Sequence, residues 1–196
     1  MVVGMCDCIV QRVSYTGDLG FEIYTDAASQ RALWHALWAQ GKPHGMRPFG
    51  MRAMMSLRLD KFFGSWLNEY SPDYTAGETG MDRFIVFGKK SNFIGRQVAE
   101  AQRAKGAKRK PVVFEVDALD ADVIAYEPVW INGAVRGFCT SGGYSHYAQK
   151  SIAMALVDAE HVNEDLEVEI EILGDMRSAR RITVSPFDPD GQRMRG

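Results

Sequence analysis

Apolar and polar residues follow two different rhythms along this chain, and the change of rhythm falls at Pro111. Before it, short alternating runs are mixed with helical stripes. Ile9 to Tyr15 and Phe21 to Tyr24 form a pair of β-segments across Thr16-Gly17-Asp18-Leu19-Gly20, whose glycines and aspartate supply the positive-φ positions a tight connection needs. The period of two puts Phe21 and Ile23 on the buried face of the second segment and Glu22 and Tyr24 on the other. Asp26 is the expected N-cap of a helix over Ala27 to Gln40, with Leu33, Trp34, Leu37 and Trp38 as its apolar stripe and Gly41 as its stop. A second helix is expected from about Pro48 to about Lys61. Met51, Met54, Met55 and Phe62 define its apolar face, and Arg58 falls in the middle of that face. A guanidinium there must be paired, because an isolated buried charge is too costly to keep. An internal salt bridge to a core carboxylate is the preferred reading, and an anionic ligand is the alternative. Leu67 to Gly80 has the composition of a surface loop, Phe84 to Phe87 that of a short strand, and Phe93 to Ala104 that of a helix capped by Ser91 or Asn92.

After Pro111 the pattern is all-β. Val112, Phe114 and Val116 alternate with Val113, Glu115 and Asp117, and Val129-Trp130-Ile131 meets Ala134-Val135-Arg136 across Asn132-Gly133, a strong hairpin signal. Ser151 to Val157 is a further strand. Leu166, Val168, Ile170 and Ile172 alternate with Asp165, Glu167, Glu169 and Glu171, and a closing strand near Arg177 to Val184 is placed to set its arginines against those carboxylates. Short strands at this spacing predict a compact barrel or sandwich of about 80 residues. The stretch from Lys105 to Pro111, with glycine, proline and four cations, is the candidate linker. The expected fold is α+β, with antiparallel strands and helices over residues 1–106 followed by a small β-barrel over 107–196.

Composition narrows the function classes. The 196 residues are 46% hydrophobic and 24% charged, with a formal net charge of -2, an ordinary globular balance that excludes disordered, collagenous and coiled-coil chains. That charge also argues against nonspecific nucleic-acid binding, which needs a basic surplus to release counterions, and no aromatic residue interrupts the basic run of the linker. Cys6, Cys8 and Cys139 cannot pair completely, so a reducing compartment, the cytoplasm, is expected. No apolar run approaches the ~20 residues of a membrane helix, and the first residues do not have the pattern of a signal peptide.

Several chemistries lack their residues. The sequence has no Gly-x-Gly-x-x-Gly, no P-loop and no Gly-x-Ser-x-Gly elbow. Cys6 and Cys8 have no second Cys or His pair at zinc spacing, and His35, His44, His146 and His161 are scattered, so no metal is expected. Two segments stand out instead: Ser14 to Tyr24, and Thr140-Ser141-Gly142-Gly143-Tyr144, whose glycines allow close approach to a ligand or a neighbouring domain.

With these segments the chain resembles the C-terminal part of the glycine-cleavage T-protein (aminomethyltransferase) superfamily. The matching blocks are Ser14 to Tyr24, Gly50 to Asp60, Asn92-Phe93-Ile94-Gly95-Arg96, and Thr140 to Tyr144 with Lys150-Ser151-Ile152-Ala153, in family order. Glu69-Tyr70-Ser71-Pro72, Asp82-Arg83 and the Ser-Gly-Gly-Tyr block look more like the branch fused behind FAD-dependent dimethylglycine or sarcosine dehydrogenases. The resemblance implies a tetrahydrofolate site, with Glu22 hydrogen-bonding the pterin and Tyr15 beside it. A carboxylate suits that role, since it accepts two parallel N–H bonds from the 2-amino group and N3 of the ring. On pattern alone Glu22 would be a solvated strand residue.

Some features depart from the family. Met54 stands where the free T-protein carries a folate-contacting arginine. The resemblance further implies that the family's catalytic aspartate and part of the pocket wall lie upstream of this chain, and FAD in a fused or missing domain, so catalytic residues are unassigned. The expected activity is transfer of a one-carbon unit from dimethylglycine, sarcosine or a glycine-derived amine to give 5,10-methylenetetrahydrofolate, by positioning and exclusion of water. The alternatives are a non-catalytic folate-binding or interaction module, whose relatives carry a Lys-Gly-Cys-x-x-Gly-Gln motif that is absent here, and a folate-dependent sulfonium demethylase. An upstream FAD domain or N-terminal half is the expected partner, and apolar surface left uncovered predicts a homo-oligomer.

Overall fold

Short extended runs at the N-terminus pair with their neighbours. In the computed structural model, which describes residues 1–118, 120–162 and 167–196, β1 (Val2–Val3) pairs with β2 (Cys6–Asp7) and β3 (Ile9–Gln11) with β4 (Glu22–Tyr24), both antiparallel. The β3–β4 pair confirms the first expected hairpin, but its strands are shorter and residues 12–21 form a broad connection. Helix α1 (Gln30–Gly41) covers one face of these strands, where Leu33 packs with Cys6, Cys8, Val10 and Ile23. Its start differs from expectation. Asp26 accepts hydrogen bonds from the Ser29 amide (2.9 Å) and hydroxyl (2.8 Å), which closes a turn ahead of the helix and leaves Ser29 as the N-cap. Phe21 also differs: it lies outside β4 and is 58% exposed, so Ile23 alone carries the buried face.

Helix α2 (Met51–Leu59) buries its last turn, not its first. Met51 is exposed, while Arg58 and Leu59 are buried, and Leu59 packs against Val113, Ile152 and Met154 of the β-domain. Phe84 to Phe87 is not a strand. Met81–Phe84 is a 3-10 turn with Phe84 and Val86 exposed, and the Ile85 and Phe87 amides bond locally, to the Asp82 and Ile85 carbonyls, instead of to a neighbouring strand. Helix α3 (Arg96–Lys105) begins later than expected, after Gly95 at φ 86°.

The alternation beyond α3 closes on itself. Strands β5 (Arg109–Val116), β6 (Pro128–Ile131), β7 (Ala134–Ser145), β8 (Lys150–Asp158), β9 (Val168–Ile172) and β10 (Asp175–Ile182) form a closed antiparallel barrel in the order β10-β5-β8-β7-β6-β9. Arg109 to Pro111 therefore belong to β5, and the connection from α3 is confined to residues 106–108. The β6–β7 turn is the expected one, with Asn132 at φ 51° and Gly133 at φ 75° between paired Ile131 and Ala134. Val112, Phe114, Val116, Val129, Ala155, Ile170 and Ile172 fill the barrel. Leu166 and Asp165 lie outside the described residues. The closing strand pairs differently from expectation: Arg180 Nη2 meets Glu115 of β5 at 2.8 Å and Arg177 meets Asp120 at 3.0 Å, whereas Glu171 accepts the Trp130 indole N–H. The barrel register sets this, since Arg180 lies directly opposite Glu115 and Arg177 opposite Ile170. Among the described residues no helix is long and apolar enough to cross a membrane.

Cys139 is fully buried in the barrel core, and burial, with the Glu127 carboxylate nearby, pushes its thiol up to about 12. Its thiolate fraction at pH 8 is then about one part in ten thousand. In a Cys6→Ala/Cys8→Ala background Cys139 should stay silent to an aromatic disulfide reagent until the chain is unfolded. Stoichiometric labelling of the native protein within minutes would contradict this.

Candidate functional site

The pairing of β3 with β4 decides where Glu22 points. Ile9 lies opposite Tyr24, Val10 opposite Ile23 and Gln11 opposite Glu22. Val10 and Ile23 turn toward α1, so Ile9, Gln11, Glu22 and Tyr24 share the other face, which is open. On that face the Tyr24 hydroxyl donates a hydrogen bond to Glu22 Oε2, and this bond holds the phenol above its ordinary pKa by stabilising the neutral donor. The Glu22 carboxylate is solvent-facing and keeps Oε1 as an acceptor.

Tyr15 sits in the connection between these strands and is half-buried. Its hydroxyl donates to the Gly64 carbonyl at 3.3 Å. Burial raises its phenol pKa; Arg58 works against that and Glu69 with it. The connection is held from the far end of the chain. Arg193 meets Asp18 at 2.7 Å, and Gly17, at φ 93°, lies so close to Lys61 that a Cβ would fall 2.6 Å from its side chain. Tyr15 and Glu22 thus flank one connection, but among the described residues no hydrogen bond joins them.

Behind Tyr15 lies a buried polar node that the sequence announced only through Arg58. Arg58 Nη1 meets Glu69 Oε2 at 3.0 Å and also donates to the Phe63 carbonyl at 2.8 Å. Glu69 further accepts the Ser65 amide at 2.7 Å and the Ser141 hydroxyl of β7. Burial pushes the Glu69 carboxyl up, but the Arg58 guanidinium and these hydrogen bonds outweigh it and hold the group below its ordinary value. The salt-bridge reading of Arg58 is therefore the one realised. The Thr140 to Tyr144 block makes the neighbouring-domain contact: Ser56 of α2 donates to the Tyr144 carbonyl at 2.6 Å, and Leu59 packs against Val113, Ile152 and Met154.

Asp60, next along the chain, is buried with Oδ1 lacking a hydrogen-bond partner among the described residues. Burial raises its carboxyl pKa against the Ser145 hydroxyl and His146. A pattern of apolar faces gives no sign of this group; the signal was Asp60 standing beside Arg58 at the end of a packed helix. The basic run of the connection lines a cleft of about 1090 Å³ between α3 and the barrel, where Asp82 and Asp158 offset it and which contains neither Tyr15 nor Glu22. Among the described residues no three His, Cys, Asp or Glu side chains gather to hold a metal ion.

A hairpin backed by α1, and a buried Arg58–Glu69 pair that meets the closed barrel through the Ser141 hydroxyl of β7, together make an architecture shared with known proteins. The GCVT N-terminal domain family matches residues 1–89, and the glycine cleavage T-protein C-terminal barrel domain family matches residues 109–188. The chain belongs to the glycine-cleavage T-protein family. It is 39% identical over 163 residues to the mitochondrial dimethylglycine dehydrogenase of Homo sapiens, covering 83% of this chain and 19% of that protein. It is 35% identical to an aminomethyltransferase of Geobacillus sp. (strain WCH70), covering 91% of this chain and 49% of that one. The crystal structure of the glycine cleavage system aminomethyltransferase T from Bartonella henselae superposes with a TM-score of 0.80 at 27% identity, over 93% of this chain and 50% of that one. The chain thus spans about a fifth of the length of the dehydrogenases and about half that of the aminomethyltransferases.

Proposed function

We propose that this chain is a tetrahydrofolate-binding module of aminomethyltransferase type, in which a one-carbon unit from dimethylglycine, sarcosine or a glycine-derived amine is passed to tetrahydrofolate to give 5,10-methylenetetrahydrofolate. The observation that carries the reading is the open face of β3 and β4, where an exposed carboxylate stands with one oxygen unengaged among the described residues, in a chain of this family. The donor set suits a pterin: Glu22 accepts, and the ring edge offers two parallel N–H donors. Tyr15 would line the ring, anchored by Gly64 and by the node behind it. Bound tetrahydrofolate supplies the nitrogen that takes the one-carbon unit; the residues of this chain bind it and orient it. We assign the oxidation chemistry of FAD, and the rest of the pocket, to polypeptide outside these residues, in keeping with the fraction of its relatives that the chain spans. We place the boundary between the folate-binding part and the barrel domain at residues 106 and 107.

Isothermal titration with 5-formyltetrahydrofolate tests the reading. Losing a charge-assisted bond to Glu22 should weaken binding of the Glu22→Ala variant about 10- to 100-fold. A variant that binds as tightly as the parent chain would remove Glu22 from the site.

A further inference from the structure

Tyr24 stands apart from the apolar cluster beneath α1. Its neighbour Ile23 joins the cluster beneath α1, whereas Tyr24 turns to the open face and is 51% exposed. A tyrosine two residues along a strand from a carboxylate lies on the same face of the pleat. Here it uses that position to donate its hydroxyl to Glu22 Oε2. The bond occupies one lone pair of one oxygen and leaves Oε1 and the second lone pair of Oε2 as acceptors. Across the sheet, Ile9 lies opposite Tyr24 and Gln11 opposite Glu22, so the carboxylate stands among an apolar, an amide and a phenolic side chain.

We infer that Tyr24 is a positioning residue for pterin recognition: it holds the Glu22 carboxylate in a single orientation with its free lone pairs toward the ring. The inference rests on the reading of Glu22 as the pterin acceptor. A glutamate on an exposed strand samples many rotamers, and fixing it before the ligand arrives removes that ordering penalty from binding. The tyrosine hydroxyl is well suited to the task, because it donates to the carboxylate without adding a charge that would compete with the incoming N–H groups.

The test is titration of 5-formyltetrahydrofolate into the full chain, its Tyr24→Phe and Glu22→Ala variants and the double variant, with thermal midpoints as a control for folding. Release of one immobilised side chain predicts that Tyr24→Phe weakens binding about 2- to 12-fold with no change in midpoint. In the Glu22→Ala background the same substitution should have no further effect. If Tyr24→Phe binds like the parent while Glu22→Ala is weakened, the positioning role falls and the reading of Glu22 survives. If Tyr24→Phe weakens binding equally in both backgrounds, Tyr24 acts independently of Glu22 and the inference is overturned. If Glu22→Ala binds like the parent chain, both fall.

Discussion

Glu69→Ala is expected to lower the folding stability of this chain by about 3–5 kcal/mol, the cost of leaving a buried charge without its counter-ion. Arg58 is 1% exposed and Glu69 5%, so neither can turn to water when its partner is removed. The alanine variant also strands the Ser65 amide and the Ser141 hydroxyl, which Glu69 now accepts. Urea denaturation measures the loss, and a Glu69→Ala variant within about 1 kcal/mol of the parent would contradict it. The paired replacement Arg58→Met/Glu69→Met should do far less harm, since a buried ion pair exchanged for packed apolar groups is often neutral. The pH dependence has a definite sign. The folded-state carboxyl of Glu69 is held below its ordinary value, so its contribution is complete above the unfolded carboxylate pKa, near 4.3. That contribution is lost as pH falls through the lower folded value. The stability gap between the parent and Glu69→Ala should therefore narrow on acidification through that window.

Gly142→Ala should cost about 1–3 kcal/mol by overpacking. An added Cβ at Gly142 would fall 2.5 Å from Val123 Cβ, 2.7 Å from the Val123 carbonyl oxygen and 3.1 Å from the Ile152 carbonyl oxygen. Backbone cannot swing aside as the end of a long side chain can. Gly142 follows the register shift between Cys139 and Ser141, the same stretch that brings Ser141 to Glu69, so displacing it should also loosen the node. Gly88→Ala is the control, because nothing among the described residues lies within 4 Å of a Cβ there. Equal denaturation midpoints for Gly142→Ala and Gly88→Ala would show that β7 yields at no cost.

Within the Thr140 to Tyr144 block, the close approach at Gly142 is to Val123 and Ile152 of the barrel itself, whereas the block meets α2 through the Tyr144 carbonyl, which accepts from Ser56, and through Gly143 at ordinary contact distance from Leu59. Other features were legible to different depths. Asn132-Gly133 specified its turn because both residues tolerate positive φ, a property carried by two adjacent positions. The apolar run of Phe84 to Phe87 carried no information about a pairing partner, and without one it did not become a strand. The outward arginines of β10 were visible, but their carboxylate partners depended on barrel closure, which set Arg180 against Glu115 instead of the acidic edge of β9. At the candidate site, the alternation of β4 separated Glu22 and Tyr24 from Ile23, while the hydrogen bond between Tyr24 and Glu22 is a matter of side-chain rotamers that no pattern records.

Local order determined the rest of what the chain could say by itself: helices and a hairpin first, an alternating β-region after Pro111, and one arginine in an apolar face that had to find a partner. Periodicity and turn chemistry act between near neighbours, so they survive in the sequence. The tertiary structure alone decided that the partner is Glu69, that the other face of β5 and β8 is covered by α2 and its flanks, and that the Glu22 face of β4 is left open. Each of those choices follows from which distant surfaces meet, and that is set by the packing of the whole chain.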